Sequence, residues 1–147
     1  MSGKSDFGDI HYNIGKWLGR LADWAGQPVA YDVGAHTGMF STMLADKGCD
    51  VFAFEPVPKT LIQLKSAVAS SSSQERILII EYGLSNQASE LVIHEYDDES
   101  FNSLFERDQE QLEHYQLKPT GQSRIKVRTL DDIQQELVDG TYRPLPN

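Results

Sequence analysis

The sequence predicts an α/β protein built on a doubly wound, mainly parallel sheet. Three short apolar runs, at residues 29–33, 51–54 and 76–81, alternate with stretches of helical periodicity. Acidic residues, Asp32 and Glu55, stand at the ends of the first two runs. Strands that alternate with helices form parallel sheets, and ligands bind outside the carboxyl ends of such strands. We therefore expect Asp32 and Glu55 to flank one ligand-binding crevice.

The length and composition are those of one globular domain covering residues 1–147. The formal net charge of −9 argues against nucleic-acid binding, which normally needs a basic surface. Cys49 is the single cysteine, and no Cys/His spacing suggests a metal site. No apolar run approaches the roughly 18 residues of a membrane span. We expect a soluble cytoplasmic protein with no metal.

The amino-terminal part divides into a flexible segment, residues 1–9, and an amphipathic helix, residues 10–26. Apolar residues recur there at helical spacing, namely Ile10, Ile14, Trp17, Leu18, Leu21, Trp24 and Ala25. Gly26-Gln27-Pro28 ends the helix. Residues 28–147 are predicted to form the α/β core, incomplete at its carboxyl end.

The first two strands are joined by a helix that opens at Thr37-Gly38 and closes at Lys47-Gly48. After the second strand, Pro58 suits the first turn of another helix. The serine run 70–73 reads as a loop. The apolar run 76–81 is then expected to lie beside the second strand, completing a βαβαβ unit.

The remainder of the chain mixes strands and helices. Residues 91–96 predict a strand antiparallel to residues 124–129, with basic side chains placed to pair with Glu95 or Asp97. The acidic stretch 97–122, partly helical in pattern and broken at residues 118–121, is interpreted either as a lid over the crevice or as a solvated helix. Thr129 is predicted to cap a last helix that ends at Asp139-Gly140.

The turn after the first strand narrows the ligand class. A dinucleotide fingerprint would need glycine at His36 and Met39, and a P-loop would need Lys and Ser/Thr after Gly38. Gly34 and Gly38 allow close approach of a ligand, and N–H groups at the helix start favour a small carboxylate such as that of a methionine moiety. Glu55, 21 residues after Gly34, is placed to accept hydrogen bonds from ribose hydroxyls.

Several motifs in order resemble the FkbM-type methyltransferases. They are Tyr31-Asp32-Val33-Gly34-Ala35-His36-Thr37-Gly38, Phe52-Ala53-Phe54-Glu55-Pro56, Gly83-Leu84-Ser85, Asn102-Ser103-Leu104 and Thr129-Leu130-Asp131-Asp132. The resemblance covers roughly residues 29–133. Two positions depart from the family pattern: His36 replaces a small or amide residue, and Gly83 replaces a frequent alanine. The chain also stops before the Asp-x-Glu-Gly strand that follows in the family.

The resemblance implies a Rossmann-like class I methyltransferase fold and S-adenosylmethionine as cofactor. It also implies O-methylation of a hydroxyl group on a sugar or another small natural product, with a small-molecule hydroxyl acceptor as the partner. The cofactor-binding residues that the turn and the resemblance together imply are Asp32, Gly34, Ala35, His36, Gly38, Glu55, Pro56 and Ser85. Without the missing strand, the chain is expected to expose a sheet edge that allows self-association. The sequence leaves open whether the chain is active alone.

The sequence assigns no catalytic base. His36 is a weak candidate, because histidine titrates near neutrality and this residue lies within the turn. Two other functions stay open on the residues alone. The chain is alternatively a noncatalytic Rossmann-like binding or interaction module, or a half-domain of an NAD-dependent dehydrogenase, which the missing glycines disfavour.

Overall fold

A computed structural model describes residues 18, 20 and 28–141. The predicted flexible segment 1–9 and most of the predicted helix 10–26 lie outside the described residues. Leu18 and Arg20 are helical, and Leu18 packs against a buried cluster that includes Leu44 and Val51.

Residues 28–141 form strands and helices that alternate as far as the third strand, after which two more strands follow directly. The strands are β1 (Val29–Val33), β2 (Asp50–Phe54), β3 (Ile77–Ile80), β4 (Gly83–Leu84), β5 (Ser89–Tyr96) and β6 (Pro119–Arg128). The α-helices are α1 (Met39–Asp46), α2 (Pro58–Ala69), α3 (Gln109–Tyr115) and α4 (Leu130–Val138). Two 3₁₀ helices, Gln74–Arg76 and Glu99–Phe101, lie between them.

The first sheet has the order β1-β2-β3, with both pairs parallel. Val33 lies opposite Phe54, and Phe54 lies opposite Ile80, so the three carboxyl ends meet at one edge. The predicted βαβαβ unit is therefore confirmed. The serine run 70–73 lies in the connection between α2 and β3, as predicted.

Helices cover the first sheet on both sides, because alternate side chains of each strand point to opposite faces. On one face, Leu44 of α1 packs with Val51 and Leu64 of α2 packs with Ala53. On the other face, Ile133 of α4 packs against Phe54 and Ile80, which are fully buried. The fold is α/β with a doubly wound sheet, as the sequence predicts.

The second sheet has the order β4-β6-β5 and is mixed. The predicted antiparallel pairing of β5 with β6 is confirmed. β6 begins at Pro119, earlier than expected, and its pairing with β5 has an irregularity between Glu95 and Tyr96. Glu95 accepts a hydrogen bond from the Ser123 hydroxyl, and Asp97 accepts one from the backbone N–H of Lys118, in place of the predicted basic side chains.

Gly83 explains how the two sheets meet. A short strand, β4, begins at this position and runs parallel to β6. A Cβ atom on Gly83 would lie 3.1 Å from Val127 Cγ1 and 3.3 Å from Pro56 Cγ. Glycine thus lets the second sheet approach the end of β2, where Val57 packs against Ile93 and Val127.

Local capping sets the bounds of several helices. Gly48, with φ of +88°, follows the end of α1, and Pro58 occupies the first turn of α2. The Thr129 hydroxyl accepts the Asp132 N–H at 3.1 Å at the start of α4, which confirms the predicted cap. Gly140, with φ of +66°, follows the end of α4. Residues 104 and 105, which looked helical in pattern, lie before α3.

β1 lies at the edge of the first sheet, since among the described residues it pairs with β2 alone. Its side chains Val29, Tyr31 and Val33 are 55%, 39% and 59% exposed. Self-association through this edge stays a prediction. Within the described part of the chain, no helix has the length and apolar character needed to cross a bilayer.

Candidate cofactor-binding site

The turn after β1 folds back over the end of β2. The backbone N–H groups of Gly34 and Ala35 both donate to the Phe54 carbonyl oxygen, each at 2.9 Å. Gly34, His36 and Gly38 have φ angles of +80°, +51° and +86°. These left-handed conformations reverse the chain sharply before α1 begins at Met39. A non-glycine residue rarely adopts such an angle, so His36 is held there by its surroundings.

Glu55 holds this turn through a hydrogen bond to its backbone. Its carboxylate is 4% exposed. Oε2 accepts the His36 N–H at 2.9 Å, while Oε1 accepts the Val57 N–H and the Thr60 hydroxyl, each at 2.9 Å. A carboxylate has about four acceptor positions. Three are used within the protein, which leaves Glu55 capacity for about one further donor from a ligand.

Asp32 lies on the same side of the sheet as Glu55. Asp32 pairs in register with Ala53, and Glu55 is two positions beyond Ala53, so strand alternation points both carboxylates to the face covered by α1 and α2. Asp32 Oδ2 accepts the buried Ser41 hydroxyl of α1 at 2.5 Å. The carboxylates therefore flank the turn from the same edge of the sheet.

A cavity of about 570 Å³ opens at this edge. Pockets that bind small molecules span about 300–1,000 Å³, so a nucleoside-sized ligand fits the volume. Three walls meet around it: the turn with the start of α1, the end of β2 with α2, and the second sheet with the Glu99–Phe101 3₁₀ helix. Its lining residues are Gly34, Ala35, His36, Thr37, Met39, Phe40, Glu55, Pro56, Val57, Thr60, Ile93, Glu99, Ser100 and Asn102.

Five of the predicted cofactor residues line this cavity, namely Gly34, Ala35, His36, Glu55 and Pro56. Asp32 and Gly38 are not among the lining residues. A Cβ atom on Gly38 would lie 2.6 Å from Leu64 Cδ1, so this glycine permits close packing of α1 against α2. Asp32 and Gly38 thus shape the turn, and direct ligand contact by either stays a prediction.

Ser85 is not among the lining residues. It follows β4, where its N–H donates to the Arg128 carbonyl at 2.9 Å and its hydroxyl donates to Asn86 Oδ1 at 3.3 Å. These contacts place Ser85 directly after β4, and its contact with the cofactor stays a prediction.

The third wall contains residues that the sequence did not single out as ligand contacts. Glu99 Oε1 forms an ion pair with Lys59 Nζ of α2 at 2.5 Å, and Gln63 Nε2 donates to Glu99 Oε2 at 3.3 Å. The hydrogen bond from Lys59 holds the pKa of Glu99 below its usual value of 4.5. The same bond raises the pKa of Lys59 above 10.5. These contacts join the 3₁₀ helix to α2.

The Asn102-Ser103 pair ties the same wall to β5. Asn102 Oδ1 accepts the Tyr96 N–H at 3.0 Å, and the backbones of Ser103 and His94 exchange two hydrogen bonds. The sequence marked this pair through its resemblance to the family motif. Its observed contacts show how it supports the cavity: it fixes the segment that carries Glu99 and Ser100.

Residues 97–122 contain two short helical segments. The Glu99–Phe101 3₁₀ helix borders the cavity, whereas α3 is a short, largely exposed helix with an Asp108–Gln111 capping box. Whether the segment opens and closes stays a prediction. Among residues 18, 20 and 28–141, no group of acidic, histidine or cysteine side chains is arranged to hold a metal ion.

Comparison with known proteins adds a family match. The family described as "Methyltransferase FkbM domain" matches residues 32–141, well over half of the chain. No curated protein matches the sequence.

Solved structures of the glycopeptide N-methyltransferase MtfA align with the chain at low similarity. Its complex with sinefungin has 11% identity and a TM-score of 0.39, covering 85% of this chain and 74% of that one. Its complex with S-adenosyl-L-methionine has the same identity and TM-score, covering 85% and 75%. At this similarity they assign no function. The extent of the family match does assign membership: the chain belongs to the FkbM methyltransferase family.

Proposed function

We propose that this chain binds S-adenosylmethionine in the cavity beside Glu55 and transfers its methyl group to a hydroxyl group of a sugar or another small natural product. Family membership supports methyl transfer, and the 570 Å³ cavity at the carboxyl edge of the first sheet supplies a place for the nucleoside. The observation that carries the proposal is Glu55: a buried carboxylate in the cavity wall that still has room for a ribose hydroxyl.

The other residues of the turn suit the same ligand. Gly34 has no heavy atom within 4 Å of the position a Cβ would take, so a ligand can approach the backbone there. Gly38 gives α1 no side-chain cap, which suits a ligand carboxylate near the first-turn N–H groups. Met39 is 51% exposed at the cavity and offers an apolar contact for the ligand.

Methyl transfer demands alignment more than covalent help from the protein. The bound cofactor would supply an activated methyl group on a sulfonium. This chain would then hold the nucleoside through Glu55 and the turn, and present the acceptor oxygen along the third wall, where Ser100 and Asn102 provide polar groups.

Ligand binding tests the proposal without any knowledge of the acceptor. We expect S-adenosylmethionine, S-adenosylhomocysteine and sinefungin each to raise the thermal midpoint, with the same one-site stoichiometry by calorimetry. NAD serves as the matched control nucleotide. Protection by NAD alone would support a dehydrogenase half-domain, and protection by none of the four would support a noncatalytic module.

A further inference from the structure

The His36 imidazole occupies an unusual position in the cavity. Its backbone is tied to Glu55 and strained at φ of +51°, and its side chain lines the cavity beside the third wall. Nε2 makes no hydrogen bond within the described residues and lies 3.9 Å from Glu99 Oε2. The side chain as a whole is 40% exposed, so a ligand in the cavity can reach the ring.

Glu99 is held in place to face this ring. Lys59 binds Oε1, and the Gln63 amide donates to Oε2, the same oxygen that faces His36. The Glu99 side chain is 17% exposed, whereas Lys59 is 58% exposed, so the cation lies on the solvent side and the carboxylate on the cavity side. A carboxylate fixed behind an imidazole orients the ring and selects its tautomer.

We propose that His36 is the base that accepts the proton of the acceptor hydroxyl and that Glu99 is its positioning residue. This inference rests on the proposed methyl transfer. With the ring proton on Nε2, facing Glu99, the lone pair of Nδ1 is left to take the hydroxyl proton. The acceptor oxygen forms a bond to the methyl carbon, the carbon–sulfur bond breaks, and its electron pair stays on sulfur. The products are a methyl ether, S-adenosylhomocysteine and an imidazolium beside Glu99.

The 3.9 Å separation is about 1 Å longer than a hydrogen bond. Catalytic contacts are often long without substrate and shorten in the reacting complex. The charged groups around the ring favour a shorter distance between His36 and Glu99 once the ring is an imidazolium. Glu99 attracts an imidazolium, Lys59 opposes it from behind Glu99, and Glu55 lies beneath the His36 backbone. Proton uptake by the ring would draw Glu99 toward the turn.

The first test needs no acceptor. Long-range ¹H–¹⁵N NMR reports which ring nitrogen of His36 carries the proton in the wild-type chain and in Glu99→Gln. We expect the Nε2–H form in the wild type and a changed tautomer ratio in Glu99→Gln. Glu110→Gln, on the exposed surface of α3, is the matched control and should leave the ratio unchanged. A proton on Nδ1 in the wild type, or the same ratio in Glu99→Gln, would overturn the pairing.

The second test measures S-adenosylhomocysteine release with a panel of methyl glycosides. We expect His36→Asn to lower kcat by roughly 10²–10⁴-fold while the Kd for S-adenosylmethionine is kept, because asparagine tolerates a positive φ. Glu99→Gln should lower kcat less and change the acid limb of the pH–rate profile. His114→Asn, on α3, is the matched control. An unchanged kcat in His36→Asn would refute the base.

If the proposed function fails, the result differs from the result expected if only the role of His36 is wrong. Wild-type protein that binds none of the sulfonium or thioether nucleosides would count against the cofactor assignment, whatever the tautomer of His36. Binding of the cofactor together with a loss of affinity, rather than of kcat, in His36→Asn would keep the methyltransferase and make His36 a cofactor contact only.

Discussion

The backbone N–H of His36 donates to Glu55 Oε2 across 2.9 Å, joining the turn after β1 to the end of β2. This bond, together with those from Val57 and Thr60, makes one buried carboxylate the support of two cavity walls. Stability and ligand affinity at this edge should therefore change together when Glu55 is altered.

Replacing Glu55 with glutamine tests that coupling. The amide keeps the shape but presents an N–H group to donors that need an acceptor, and a buried unsatisfied group costs about 1–3 kcal/mol. We expect the free energy of unfolding in urea to fall by about that amount and S-adenosylmethionine binding to weaken. Glu110→Gln on exposed α3 should stay within about 0.5 kcal/mol of wild type. Equal stability of wild type and Glu55→Gln would contradict the supporting role.

Substitutions at two glycines distinguish the cost of backbone strain from the cost of steric crowding. Gly38 and Gly48 have nearly equal φ angles, +86° and +88°, but a Cβ on Gly38 would lie 2.6 Å from Leu64 Cδ1 and one on Gly48 would meet nothing within 4 Å. Gly48→Ala should cost about 1–2 kcal/mol from conformation alone. Gly38→Ala should cost at least about 1 kcal/mol more, since it also overpacks α1 against α2. Equal losses in chemical denaturation would remove the packing role of Gly38.

The sequence predicted the features that depend on neighbouring residues. The spacing of apolar residues placed β1, β2, β3 and the helices between them, and the acidic ends of β1 and β2 marked the edge where the cavity lies. Local chemistry also located the cap at Thr129. These features follow from periodicity and hydrogen bonding within a few positions, which a sequence displays directly.

The third cavity wall was not predictable in the same way. Glu99 lies in an acidic stretch, and its partners Lys59 and Gln63 precede it by about 40 residues, so only the packed tertiary structure brings them together. Leu104 and Phe105 belong to a stretch of partly helical pattern, but they lie before α3 and are 45% and 81% exposed. Resemblance alone places Ser85 at the cofactor, and Ser85 is not among the residues that line the cavity.

The cap of α4 gives a prediction about stability alone. Thr129→Ala removes the hydroxyl that accepts the Asp132 N–H, and such caps contribute about 0.5–2 kcal/mol. We expect unfolding at lower urea concentration and no change in the Kd for S-adenosylmethionine, because Thr129 does not line the cavity. Thr129→Ser keeps the acceptor and should restore most of the loss. A Thr129→Ser variant as unstable as Thr129→Ala would show that the methyl group, not the cap, is needed.

Two ion pairs predict how the free energy of unfolding depends on pH in the acid range. Hydrogen bonds from Lys59 and Arg128 lower the pKa values of Glu99 and Glu136 below 4.5. The folded state therefore binds fewer protons than the unfolded state just below that value. The stabilisation from these carboxylates is present above pH 4.5 and is lost as the pH falls through their folded-state pKa values.

Substituting both carboxylates should reduce the loss of stability as the pH falls into the acid range. We expect the double variant Glu99→Gln, Glu136→Gln to lose less free energy of unfolding than wild type between neutral pH and the acid range, measured by urea denaturation at each pH. Because Glu136 and its partner Arg128 lie near the surface, most of this difference should also disappear in high salt. An acid limb of the same depth in wild type and double variant would mean that other carboxylates dominate acid unfolding, and that the Glu99–Lys59 contact orients the cavity wall without stabilising the fold.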